Sequence, residues 1–263
     1  MRPYRAIFSA KFRTRLQYRA AALAGSGTQL FWGLIRIMIF TAFYQSTTAD
    51  QPMTLPEVVS YIWLSQAFLG LLPWMSDEEA ASAIQSGNIS YELLRPINLY
   101  SLWYSRIMAS RIAKTSLRAV PLVLVAGLFF GMQPPVSWAS GGAWGLALIG
   151  ALLLSCAVST LLTITLLWTV VGDGIANFAG IAMWLLTGLV VPLPFFPDWA
   201  QRILDFLPFR GLFDIPARLY SGNLPAESAL PLFAQQLAWT AALVLFGHWL
   251  LARGARRLVV QGG

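Results

Sequence analysis

The sequence predicts an all-α membrane protein with six transmembrane helices, and three observations carry that prediction. Of its 263 residues, 57% are hydrophobic and only 11% charged, with 11 Trp among them, a composition that no soluble core explains. Apolar runs long enough to cross about 30 Å of hydrocarbon recur from end to end, leaving no room for a separate soluble domain. The basic residues gather into three groups that a single side of a membrane can share, as an even number of spans requires.

Residues 1–20 interleave Arg2, Arg5, Lys11, Arg13, Arg15 and Arg19 with Tyr4, Ile7, Phe8, Phe12 and Leu16. That interleaving excludes a cleavable signal and predicts an interfacial helix, its apolar face in lipid and its cations on phosphates. Spans follow at residues 21–43, 58–75, 117–132, 143–171, 175–196 and 232–252, the fourth long enough to tilt or project. Between the second and third, residues 76–96 read as a polar helix. Ser76 and Glu79 fit a capping box, Asp77, Glu78 and Glu79 load the first turn with negative charge, and Gly87 stops it. A more apolar turn over residues 89–94 then ends at Arg95 and Pro96, which break away from the helix. Before the last span, residues 197–231 alternate apolar and charged positions, broken by Pro208, Gly211, Pro216 and Gly222. Two amphipathic helices result, too short to span and too apolar for open water. They are expected to form an external re-entrant hairpin that dips into the membrane boundary as a lid, with Phe195, Phe196, Trp199, Phe206, Phe209 and Phe213 as its aromatic residues. Two helices lying flat as packing is the alternative.

Orientation follows from charge. The N-terminal group, the group Arg95, Arg106, Arg111, Lys114 and Arg118, and the group Arg253, Arg256 and Arg257 hold fourteen of the 18 Lys and Arg. Only Arg202, Arg210 and Arg218 fall in opposite loops, with Arg36 inside the first span. The positive-inside rule therefore puts both termini and residues 76–118 in the cytoplasm. The net charge of +7 and pI near 10.0 report this topology and anionic lipid headgroups as partners; no nucleic-acid face is implied. Arg36 lies about 24 Å from the cytoplasmic end of its helix at 1.5 Å per residue. A lipid-facing charge there costs roughly 2.5–3.5 kcal/mol, so it is expected to face protein and to meet helix carbonyls, Gln29, Gln66 or a carboxylate of the lid.

Chemistry is marked mainly by what is missing. One Cys156 and one His248 allow neither an internal disulfide nor a multi-His metal site. Gly172-Asp173-Gly174 reads as a tight turn, since an aspartyl protease needs a second intramembrane carboxylate. Gly25-Ser26-Gly27 lacks the His a serine nucleophile needs. All eleven acidic residues fall in loops or at span ends on this topology, which weighs against an ion-coupled carrier. With no Walker A sequence the chain is no ATPase. If it transports actively, a partner must supply the energy, and the polar helix over residues 76–96 is the natural place for that partner to push.

Four sequences carry a resemblance that runs along essentially the whole chain. They are Leu16-Gln17-Tyr18-Arg19-Ala20, Gly87-Asn88-Ile89-Ser90-Tyr91-Glu92-Leu93-Leu94-Arg95-Pro96, Pro192-Leu193-Pro194-Phe195-Phe196-Pro197 and Leu207-Pro208-Phe209. With these the chain resembles the permease subunit of an ABC type-2 exporter, and more narrowly the bacterial branch of daunorubicin-type drug and viologen export. The resemblance implies a single permease domain over residues 1–263 in the bacterial inner membrane, paired with a second permease, of the same or a homologous chain, and with two ABC ATPase subunits. ATP and Mg would be bound by those partners, and this chain would hold no cofactor. It further implies a cytoplasmic coupling helix, with Ser76, Asp77, Glu78, Glu79, Ile84, Gly87, Tyr91, Glu92 and Arg95 as the coupling residues. The second and fifth spans would line the path through Trp63, Gln66, Phe68, Asn177, Met183, Trp184 and Thr187, joined by Arg36. The implied cargo is a hydrophobic or amphipathic compound, drug-like or lipid-like, and is not encoded further. The alternative from another class is a membrane channel or scaffold subunit with no coupling to ATP, which needs no ATPase-docking helix.

Overall fold

The computed structural model describes residues 2–74, 76–169 and 173–256, and these are helical almost throughout. In chain order they form α1 (Arg2–Leu16), α2 (Arg19–Ser46), α3 (Leu55–Ala67), α4 (Glu78–Gln85), α5 (Ile89–Leu93), α6 (Leu99–Phe129), α7 (Trp138–Thr169), α8 (Asp173–Leu186), α9 (Asp198–Phe206), α10 (Asp214–Ser221) and α11 (Ala229–Ala255). Four helical segments are long and apolar enough to cross a membrane: Ala22–Ser46, Leu99–Phe129, Trp138–Thr169 and Ala226–Ala255. They correspond to the first, third, fourth and sixth expected spans.

The second and fifth are shorter than the apolar runs suggested. α3 opens where Glu57 accepts a hydrogen bond from the Thr54 backbone N–H at 2.6 Å and stops after 13 residues. A 3-10 turn at Leu69–Leu71 follows, and then Pro73, which has no N–H to continue a helix. α8 has 14 residues. It ends before Gly188, whose φ of +81° is a left-handed conformation that glycine adopts at little cost, and Pro192 and Pro194 follow. The expected span ends Met75 and Val171 lie outside the described residues, as do Gly172 of the expected 172–174 turn and Arg257.

The third span is longer than expected and needs a larger correction. α6 begins at Leu99, capped by Asn98, whose side chain accepts from Ser101 N–H at 3.0 Å. It therefore contains Arg106, Arg111, Lys114 and Arg118, which the apolar run had placed in a loop. Arg36 is thus one of several cations carried on a long apolar helix. Arg106 and Arg111 are 6% and 9% exposed, so protein contacts absorb both cations.

α7 is the axis of the fold. Ala143, Ala147, Gly150 and Ala151 are buried along it, and these small residues let α10 and α11 come close. One core cluster joins Tyr61, Ile62 and Trp63 of α3 to Leu122 of α6, Leu154 of α7 and Phe213. A second gathers Ile84, Ile89, Trp103, Ile164 and Leu251 near the ends of α4, α5, α6, α7 and α11. Large apolar residues on the outer faces of α2, α8 and α11, including Phe31, Met38, Phe178, Ile181 and Leu245, are exposed, as a helix bathed in lipid requires.

The expected lid divides in two. α9 is amphipathic and leaves Trp199 and Phe206 outward, Phe206 meeting Trp239 edge-on at 5.8 Å. α10 instead sinks into the core, with every residue buried except Arg218. Asp214 at its start is fully buried, accepts from Tyr61 Oη at 3.0 Å, and lies 3.5 Å from Arg218 one turn on. The expectation that every carboxylate sits in a loop or at a span end fails there. Of the other lid aromatics, Phe195 meets Phe40 and Phe43 of α2, Phe196 is half-buried, Phe209 packs on the core, and Phe213 lies edge-on to Tyr61 at 5.0 Å.

Close helix approach generates a stability prediction. A Cβ at Gly33 of α2 would sit 2.5 Å from the Trp63 ring of α3, whereas one at Gly27 meets nothing within 4 Å. Gly33→Ala is expected to lower stability by about 1–3 kcal/mol through overpacking, despite alanine's better helix propensity. Gly27→Ala should leave it unchanged or slightly raise it, and thermal unfolding of both variants in one detergent reads the difference.

Candidate coupling site

Beyond α3 the 3-10 turn and the bend after it present carbonyls that need donors. Arg111 of α6 reaches into that bend. Its Nη1 donates to the carbonyls of Gly70 at 3.3 Å and Leu71 at 3.0 Å, and also to that of Leu72, while its Nη2 donates to Ser159 of α7. Ser155 donates to the Leu71 carbonyl and Trp74 Nε1 to that of Leu69 at 3.0 Å. The same stripe of α7 hydroxyls continues at Thr163, whose Oγ1 accepts from the Asp77 N–H at 2.8 Å. The polar helix thus starts from a backbone position fixed by α6 and α7.

α4 is capped by Asp77, which accepts from Ala80 N–H at 2.8 Å. Ser76, the expected cap, is half-buried one residue before it. The capping box fails because Glu79 is drawn elsewhere. It takes Lys11 of α1 and, at 3.0 Å, Arg106 of α6. Glu78 meets Arg15 of α1 at 2.5 Å and Lys114 of α6 at 3.5 Å. Arg106 is the centre of this cluster, 3.4 Å from Asp77 and 2.8 Å from Glu92 of α5, and Glu92 also accepts from Trp103 Nε1 at 2.8 Å. Burial pushes the Asp77 carboxyl above its ordinary range, against the opposing charge of Arg106. The hydrogen bond from Arg15 holds Glu78 below its ordinary range. At Glu79 burial acts upward, but Lys11 and Arg106 together bring the net shift down.

The acidic turn is therefore spent on contacts within the chain. On the other side, Ile84 is buried and Gly87 closes α4 with a φ of +75°. The tip beyond it is open: Tyr91 is 68% and Leu94 81% exposed, with Leu93 and Arg95 also outward. α1 packs along α6. Tyr4 Oη accepts from Asn98 N–H at 2.9 Å, and Ile7 joins the second core cluster. Tyr4, Ile7, Lys11 and Arg15 thus face protein, where the sequence had placed them on lipid and phosphate. Lys11, Arg15, Arg106 and Arg111 are the site residues the sequence reading missed. The matching of Lys11 and Arg15, four apart on one helix, to the acidic run at residues 77–79 was the available signal.

The path residues do not converge. Trp63, Gln66, Met183 and Thr187 are buried in the core, Trp63 donating to the Phe130 carbonyl at 3.0 Å. Phe68 lies edge-on to Trp144, while Asn177 and Trp184 are on the exposed face of α8, Trp184 edge-on to Trp74. Arg36 donates to Ser65 Oγ at 2.8 Å and to the Val190 carbonyl at 2.7 Å. It reaches neither Gln29 nor a carboxylate of the hairpin among the described residues, and Gln66 touches it only through Ser65, at 3.2 Å.

The profile of a family described as ABC-2 family transporter protein matches residues 30–262. No curated protein matches the chain.

Two predictions follow from the ion cluster. Arg106→Leu strips the cation from two buried carboxylates, Asp77 and Glu92, and is expected to destabilise α4 and α5 by about 3–5 kcal/mol. Hydrogen exchange should quicken across residues 76–95 and stay unchanged in α7. Acid should also loosen α1 from α4. Glu78 and Glu79 have folded-state values below the unfolded 4.5, so their contribution is present above that pH and is lost as pH falls through the lower, folded values. Asp77 is shifted the other way and its burial becomes easier on protonation. A spin-label distance from Thr14 to Ser82 should be constant between pH 7 and 5 and broaden below about 4.5.

Proposed function

The chain belongs to the ABC-2 family of transporter proteins, and on that premise we propose that it is the membrane-spanning subunit of an ATP-driven exporter in which α4 and α5 receive a separate ATPase. The family membership makes it the membrane component; ATP hydrolysis belongs to another chain. The observation that carries the docking role is the exposed tip of Tyr91, Leu93 and Leu94, interspersed with the charged Glu92 and Arg95 and outside the long apolar helices. Large apolar side chains left outward at a polar helix end mark a contact surface. Behind them the Arg106 cluster and the Asp77 to Thr163 hydrogen bond hold the tip firmly to α6 and α7, so displacement of the tip is passed to the spans.

In this reading α2, α3, α6, α7, α8 and α11 are six crossings of the bacterial inner membrane, with both termini in the cytoplasm. α3 is about 20 Å long at 1.5 Å per residue, and its crossing is completed by the bent segment that Arg111 holds. Two ATPases binding ATP and Mg, and a second permease seated on exposed apolar faces such as that of α8, complete the assembly. The cargo is a hydrophobic or amphipathic compound moved outward, as in the daunorubicin and viologen export branch, with Arg36, Trp63, Gln66, Phe68, Asn177, Met183, Trp184 and Thr187 as candidates for its path.

Tyr91→Ala combined with Leu94→Glu tests the proposal, because neither residue supports the core. Co-purification of a co-expressed partner ABC ATPase is expected to drop at least tenfold with thermal unfolding unchanged, and transport should fall with it. Undiminished ATPase recovery would reject α4 and α5 as the docking site. Full transport with no ATPase bound would favour the channel or scaffold reading.

A further inference from the structure

Between α1, α2, α4 and α6 lies a cavity of about 480 Å³, and it is strongly basic. Lys11, Arg15, Arg111, Lys114 and Arg118 line it against only two carboxylates, Asp77 and Glu78. Glu78 is engaged by Arg15 and Lys114, and Lys11 by Glu79 outside the lining. Arg111 is nine-tenths buried, bonded to carbonyls and Ser159 but to no carboxylate, and its Nε has no hydrogen-bond partner. Arg118 makes no ion pair among the described residues. Its guanidinium lies against Gly25 of α2, where a Cβ would come within 3.0 Å of Arg118 Cζ. The absence of a side chain there gives the cation its place between the two helices.

The cavity's setting identifies what completes it. Ile107, Ser110, Arg111, Lys114, Leu117 and Arg118 recur at helical spacing, so they form one face of α6. One to three turns further along, that face carries Leu124 and Leu128, 59% and 74% exposed. From Arg118 to Leu128 is about 15 Å of helix at 1.5 Å per residue, half the hydrocarbon thickness of a bilayer. Tyr18, 61% exposed and also lining the cavity, stands at its mouth. A basic chamber continuous with one leaflet's length of apolar helix matches an anionic amphiphile, with phosphate oxygens accepting from guanidinium and ammonium groups and an acyl chain along α6.

We propose that this cavity binds the phosphate headgroup of an anionic membrane lipid in the leaflet on the α1 side, with Arg111 and Arg118 as the principal donors. The site does not rest on ATP coupling. Arg15 and Lys114, which tie α1 and α6 to Glu78 of α4, line the same cavity.

The test uses the full-length chain in neutral detergent, titrated with phosphatidylglycerol or phosphatidylcholine and read by native mass spectrometry. Saturable binding of phosphatidylglycerol at least tenfold tighter than phosphatidylcholine is expected, a comparison that needs no variant. Arg118→Gln with Lys114→Gln should weaken phosphatidylglycerol binding tenfold or more. Arg253→Gln, which removes a cation at the end of α11 stacked on Trp249 at 4.2 Å, should not. Equal binding of the two lipids, or unchanged affinity in the double variant, would overturn the proposal. Inorganic phosphate at millimolar concentration should displace the lipid only in part, and phosphate bound as tightly as the lipid would reassign the site to a soluble ligand.

Discussion

The chain bends away from α3 over residues 69–72, and the placement of the polar region depends on how that bend is held. Arg111 answers with one guanidinium that serves Gly70, Leu71, Leu72 and Ser159 together. Arginine suits this because its planar fork presents several donors in fixed geometry and stays charged. Burying the cation is costly; Ser155 also serves the Leu71 carbonyl and the Trp74 N–H that of Leu72, so the guanidinium locks a bend that other donors share. The solution also binds three elements. α3's end, α6 and the hydroxyl stripe of α7 meet there, and Thr163 extends that stripe to the backbone of Asp77.

A second charge cluster stacks on the first. Asp77, Glu78, Glu79 and Glu92 are matched by Lys11, Arg15, Arg106 and Lys114, drawn from α1 and α6. The partly exposed pairs around Glu78 contribute little individually. Arg106 differs, since it and two of its partners are largely desolvated, and loss of Arg106 leaves both carboxylates without their cation. The two clusters sit five residues apart on α6, so α4 and α5 cannot move without disturbing Arg106, and Arg106 cannot move without disturbing the helix that carries Arg111. Stiffness of that kind suits the docking role proposed for α4 and α5.

The parts legible in the sequence were those fixed by local chemistry. Gly87 ends α4 through its left-handed backbone, α1 follows its amphipathic spacing, and two short helices precede α11. The parts that were not legible depend on distant partners. The start of α6 at Leu99 was hidden because Arg106 and Arg111 lower the hydropathy of a window even when protein contacts absorb them. α3 and α8 look like full spans because the apolar residues around Leu69–Leu71 and Leu193–Phe195 remain apolar after the helix ends. Ser76 lost the cap to Asp77 through a competition for Glu79 that only Lys11 and Arg106 reveal. Asp214 read as a loop carboxylate because nothing local announces Tyr61, more than a hundred residues earlier.

Tyr61 and Ser65 show how short α3 still organises the interior. They are four residues apart and so lie on one face. Tyr61 Oη donates to the buried Asp214 of α10, and Ser65 Oγ accepts from Arg36 of α2. Two opposite charges, brought in by helices far apart in sequence, are thus held by neutral hydroxyls on successive turns of a third. Direct contact of the charges would give more Coulomb energy, but the hydroxyls fix position as well, because each engages only when α3 has the right rotation. Gly188 reinforces the constraint, since a side chain there would occupy the space of Tyr61 Oη. A turn of α3 about its axis would therefore break the Arg36 and Asp214 hydrogen bonds together, so the rotation of this helix is fixed from two sides.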